Sequence, residues 1–84
     1  MPQRYISATE ARNIAAEAAK DELRIPSEAG WRCTSAYARL SRRGGVLVYR
    51  VEITWEKRSR LVRGAAASLI VDVDPHDGQV VGFE

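Results

Sequence analysis

Residues 46–56, Val-Leu-Val-Tyr-Arg-Val-Glu-Ile-Thr-Trp-Glu, alternate with a period of two. Leu47, Tyr49, Val51, Ile53 and Trp55 point one way; Val46, Val48, Arg50, Glu52 and Thr54 point the other. Strict alternation rich in β-branched and aromatic residues predicts a β-strand with one face buried. Such a face needs a covering layer. The strong helical pattern in the chain lies upstream, so a helix is the expected cover.

That helix is predicted from about Ala8 to Arg24. Ser7-Ala8-Thr9-Glu10 fits a capping box, in which the Ser7 hydroxyl accepts from the Glu10 amide and the Glu10 carboxylate reaches back. Ala8, Ala11, Ile14, Ala15, Ala18, Ala19 and Leu23 form an apolar stripe, opposite Thr9, Glu10, Asn13, Glu17, Lys20 and Arg24. A stripe made mostly of alanine lets the helix axis approach a sheet closely. Pro26 biases Ile25 away from the α region and marks the helix end. Met1–Ile6 reads as a short lead-in and Ser27–Gly30 as a connection.

A second alternating run covers Trp31–Ser41. Thr34, Ala36, Ala38 and Leu40 share one face; Cys33, Ser35, Tyr37 and Arg39 share the other. Gly44-Gly45 is a hairpin turn signal. A two-residue loop pairs Leu40 with Tyr49, Ala38 with Val51 and Ala36 with Ile53, apolar against apolar. A four-residue loop, Arg42–Gly45, keeps the same faces and avoids setting Arg39 opposite Arg50, so both remain open. Lys57–Arg60 reads as a basic turn, residues 64–67 as a bend, and Ser68–Val73 as the third strand. In Asp74-Pro75-His76-Asp77-Gly78, Asp74 caps a turn, Pro75 presets φ and Gly78 takes φ > 0. Gln79–Phe83 returns as the last strand. The expected fold is α+β: one N-terminal helix packed on one face of a four-stranded antiparallel meander, a single domain over residues 1–84.

This layout resembles the PepSY domain. The family's helix opening I-S-x-x-E-A-x-x-I-A is met by Ile6-Ser7, Glu10-Ala11 and Ile14-Ala15. Its central Y-x-V-x-[VI] is met by Tyr49, Val51 and Ile53, and its closing V-D-x-x-x-G-x-V by Val71-Asp72, Gly78 and Val80-Val81. The chain also resembles small immunity proteins of bacterial toxin systems, through the closing pattern Leu61/Val62, Gly64, Leu69-Ile70-Val71-Asp72, Gly78 and Val80. That second family better accommodates the long 57–68 link. Neither resemblance carries catalytic residues. Both imply a module that binds and inhibits another protein.

The residues themselves point away from an enzyme. His76, the single histidine, sits in a Pro-Gly turn, and Cys33 alternates along a strand as a small thiol. Asp72, Asp74 and Asp77 lack the spacing of a calcium loop, because position 6 is Asp77 rather than Gly and position 12 is Phe83 rather than Glu. Zinc fails on ligand count, and Gly44-Gly45 lacks a phosphate-loop Lys. No metal or cofactor is expected. One cysteine, no signal-like apolar run and no membrane span give a cytoplasmic expectation.

Charge is asymmetric. Residues 32–63 carry nine Lys/Arg against Glu52 and Glu56, a net of +7 in a chain of net +2. Nucleic-acid binding through the basic loops 42–43 and 57–63 is therefore the alternative function, weakened because the two loops should fall at opposite ends of the sheet. The favoured surface is the sheet face that the helix leaves bare. Val46, Val48, Ile70, Val81 and Phe83 are placed there, the last two by a Pro75–Gly78 loop pairing Ile70 with Phe83 and Asp72 with Val81. Arg50, with Tyr37, Arg39 and Glu52, forms a polar rim. The expected partner is a toxin- or protease-like protein, or a second copy in a homodimer.

Overall fold

A computed structural model describes residues 5–26, 30–57 and 65–84. The sequence readings at residues 1–4, 27–29 and 58–64, including most of the 57–63 basic loop and the Leu61, Val62 and Gly64 matches, lie outside the described residues. The order is α1 (Ala8–Glu22), β1 (Trp31–Arg43), β2 (Val46–Lys57), β3 (Ala66–Val73) and β4 (Val80–Phe83). The strands form one antiparallel sheet in the order β1-β2-β3-β4, a meander with α1 on one face. The expected α+β fold is the one observed.

The Ser7 hydroxyl accepts from the Glu10 N–H at 3.0 Å, which starts α1. The alanine stripe then works as read: Ala11, Ala15 and Ala19 are fully buried against Tyr49, Val51, Ile53, Val71 and Val73. Burying side chains such as Val51, Ile53, Val71 and Val73 contributes about 1.5–3 kcal/mol each, and this cluster is the core. Two side chains of β2 grip the cover, one just before the start of α1 and one at its middle. The Tyr49 hydroxyl donates to Ile6 O at 2.9 Å, and Trp55 Nε1 donates to Ala16 O at 3.3 Å, with Lys20 Nζ 5.7 Å from the Trp55 ring centroid. Leu47, also expected under the helix, is half-buried beyond this grip.

α1 stops two residues before the expected Arg24. Ile25 N–H bonds Lys20 O and Arg24 N–H bonds Asp21 O, the paired closing bonds of a Schellman cap, with Arg24 at φ +55°. The cap, one step ahead of Pro26, ends the helix and buries Ile25.

The β1–β2 loop is the two-residue one. Arg43 faces Val46 across Gly44-Gly45, both with positive φ, and Arg39 faces Arg50. The register of Leu40, Ala38 and Ala36 against Tyr49, Val51 and Ile53 is as read. Two irregularities were invisible in the alternation. A shift between Cys33 and Ser35 sets Cys33 opposite Trp55, so its thiol packs against the core instead of sharing a face with Tyr37. In β3, Ala66 and Ala67 belong to the ladder opposite Glu56 and Trp55 rather than to a bend.

The β3–β4 turn follows its predicted chemistry. Asp74 Oδ1 accepts from His76 N–H at 2.8 Å, Gly78 N–H bonds Asp74 O at 2.9 Å, and Gly78 has φ +76°. The returning register differs from the expected one. Val73 pairs with Val80, but Asp72 pairs with Gly82 and Val71 with Phe83, so Val81 is an extra residue in a bulge. Ile70 exchanges both backbone hydrogen bonds with Glu84.

Candidate functional site

Among the described residues, α1 covers one face of the sheet and the other carries β-strand side chains alone. The pleat sends Tyr37, Arg39, Val46, Val48, Arg50, Glu52, Ile70 and Asp72 to that bare face. At its centre four charged side chains interlock. Arg43 reaches Asp72 Oδ2 and Glu84 Oε1, each at 2.7 Å, and Arg50 reaches Asp72 Oδ1 at 3.3 Å and Glu84 Oε2. Two cations meet two anions, so the quartet is neutral. Asp72 is only 3% exposed, and a carboxylate so buried requires this pairing.

The quartet explains how Arg39 and Arg50 tolerate facing one another. Arg50 turns its guanidinium toward β3 and the chain's last residue, away from Arg39. It also changes what the basic block offers. Arg43 is bound to carboxylates, and Arg42 Nη1 donates to Gly45 O at 3.3 Å. Of the loops proposed for nucleic acid, the described one is engaged within the chain.

The six residues read as a partner surface fare differently. Val46 and Val81 are 63% and 58% exposed on or beside the bare face, and Ile70 is half-buried among Tyr37, Arg39, Arg50 and Glu52. Val48 lies on that face but is only 4% exposed, sunk in a depression with Arg43, Asp72, Val81 and Gly82. Arg50 is committed to the quartet. The bulge at Val81 pairs Phe83 with Val71 in the ladder, while Phe83, 40% exposed, lines the depression beside Val46 and Val48. The expected pairings of Phe83 with Ile70 and Val81 with Asp72 are corrected by this one-residue slip.

Sequence reasoning reads Arg43 only as part of a basic loop and misses Asp72 and Glu84. The spacing tests Asp72 as a calcium ligand and finds none, while the turn caps are Asp74 and Asp77; Asp77 Oδ1 accepts from Gln79 N–H at 2.9 Å. The signal was present: with Val71 set opposite Val51, Asp72 must face Arg50. His76 is exposed in its turn, 5.0 Å from the Tyr5 ring between centroids. The Cys33 thiol lies 3.4 Å from Ser35 O. Among the described residues no three His, Cys, Asp or Glu side chains gather into a metal set, and no helix is long and apolar enough to cross a membrane.

The family model PepSY, "Peptidase propeptide and YPEB domain", matches residues 5–84. The chain belongs to the PepSY family. The match runs from the lead-in to the end of β4 and so takes in the helix, the whole sheet and every member of the quartet. Neither a curated protein nor a solved structure matches the chain significantly. PepSY domains are propeptide- and inhibitor-like modules without catalytic residues, consistent with a protein partner.

Proposed function

We propose that this PepSY domain is a non-enzymatic module that binds another protein and inhibits it, with the bare sheet face as part of the contact. The observation that carries this reading is the surface around the quartet. Val46 and Val81 stand exposed on one side of it and Tyr37 on the other, over a charge-neutral, interlocked centre. A contact needs apolar anchors on a surface that keeps its shape, and ion pairs satisfied within the chain supply the second without demanding desolvation of free charges. The family's link to peptidase propeptides makes a peptidase the favoured target class. A reducing, cytoplasmic setting remains part of the proposal through the lone Cys33.

The test is affinity capture from an extract of the native host, followed by an activity assay of the captured protein with and without added domain. One dominant protein whose activity falls on addition is the expected result. Retention of nucleic acid instead, lost steeply between about 50 and 200 mM salt, would overturn it.

A further inference from the structure

β1 is an edge strand of thirteen residues, and among the described residues no strand pairs with its outer side. The two-residue loop fixes which groups that side presents. Arg43 and Val46 close the hairpin as a hydrogen-bonded pair, so pairs alternate from there, and Arg42, Leu40, Ala38 and Ala36 stand in the non-hydrogen-bonded positions. Their N–H and C=O groups point away from β2. The shift at Cys33 and Ser35 lies beyond this stretch, so residues 36–42 form an unbroken template.

The side chains along it are suited to receiving a strand. Ala36 and Ala38 are small, half-buried and packed on the edge of the core, which leaves room beside them for larger apolar side chains. On the other face stand exposed Tyr37 and Arg39. β1 carries Arg32, Arg39, Arg42 and Arg43 and no Asp or Glu. Arg39 makes no ion pair among the described residues and faces another arginine across the ladder. Arginine on an edge discourages pairing with an identical edge, since two copies of β1 would align cations with cations and no carboxylate. Arg39, held by no carboxylate among the described residues, favours an anionic guest. β4, the opposite edge, has four residues and a bulge and offers no comparable template.

We propose that the outer edge of β1, residues 36–42, takes an extended acidic segment of the partner protein as a fifth strand. The guest's apolar side chains lie over Ala36, Ala38 and Leu40, and its carboxylates face Arg39 and its neighbours. Backbone hydrogen bonds hold the segment and side-chain alternation selects it. This deepens the protein-binding reading above by naming how the partner is held.

The experiment uses isotope-labelled domain and three synthetic probes: a short acidic peptide alternating valine and glutamate, its lysine counterpart, and the acidic peptide with a central proline. Amide exchange should slow at Ala36, Ala38, Leu40 and Arg42 when the acidic peptide is added. Exchange at Tyr37 and Arg39, already bonded to β2, should stay unchanged. The acidic peptide should bind roughly tenfold or more tightly than the lysine one, and the proline version should fail. Ala38→Pro removes an outward N–H without touching the β2 ladder and should abolish binding. If that variant does not fold, Arg39→Glu should reverse the peptide preference. No binding of the acidic peptide overturns the proposal. So does protection centred on Arg50 and Glu84, or protection of the four amides without peptide because a second copy occupies the edge. The peptides read the edge directly, whereas host capture reads the function. Loss of one result with the other intact separates the two readings.

Discussion

Gly78 sits where two constraints meet. Its φ of +76° excludes most side chains, and a Cβ there would lie 2.9 Å from Ile14 Cδ1 on the helix. Strain costs about 1–2 kcal/mol and overpacking about 1–3 kcal/mol. Gly78→Val should lower stability by about 2–5 kcal/mol in a urea melt. Gly45, with φ +82° and no atom within 4 Å of an added Cβ, isolates the first cost, so Gly45→Ala should lose about 1–2 kcal/mol. Equal losses at the two sites would refute the contact with Ile14. Asp72 makes a second test at this scale. Removing it strands Arg43 and Arg50, one half-exposed and one a quarter exposed, so solvent softens the penalty. Asp72→Ala should cost about 1–3 kcal/mol. A double-mutant cycle with Arg43→Ala should return a coupling of about 0.5–2 kcal/mol; additive losses would mean the pair contributes nothing.

Each element is ended by local chemistry that the hydrophobic pattern does not carry. The helix stripe runs on through Leu23, but Arg24 turns left-handed and the Schellman bonds close. An arginine there carries the Cβ crowding that glycine avoids. Arg24→Gly should therefore leave the helix end intact and raise stability by up to about 1 kcal/mol, read as an increase in Tm. A drop would show that the Arg24 side chain has a stabilising contact of its own. The hairpin illustrates the reverse relation, with the element imposing an unfavourable pair. Gly-Gly selects the tight turn, the tight turn forces Arg39 against Arg50, and Asp72 and Glu84 then absorb the Arg50 charge.

For the molecule as a whole, the helix is shorter than the sheet it covers. Its 15 residues rise about 22 Å, while the 13 residues of β1 extend about 43 Å. The grip runs from Tyr49 to Trp55, so the hairpin end near Leu40 and Leu47 projects past the helix. Amides of the Ser41–Val48 pairs should exchange faster than those of Val51 and Ile53; uniform protection along the hairpin would contradict this. The bare face separates binding from stability. Val81→Glu, at an exposed bulge, should change stability by less than about 0.5 kcal/mol and weaken partner capture. Val48→Glu places a charge at a position only 4% exposed and should cost more than about 3 kcal/mol. A Val81→Glu domain that captures its partner as well as the wild type would remove the bare face from the contact.

Periodicity alone determined a good deal of this protein. Alternation along 46–56 and the alanine stripe of 8–19 specify a one-helix, antiparallel α+β layer, because each residue's face follows from strand and helix geometry once the period is known. Turn chemistry did the same for Asp74–Gly78. What local pattern could not carry was register beyond an irregularity. A single extra residue at Val81 moves Phe83 from Ile70 to Val71 in the ladder, and the shift at Cys33 sends that thiol inward. A bulge leaves no mark on composition, and its effect reaches every later position in the strand. The quartet was decided by tertiary structure for the same reason: Arg43, Arg50, Asp72 and Glu84 come from three strands and the chain end, and only the assembled ladder sets their charges within reach.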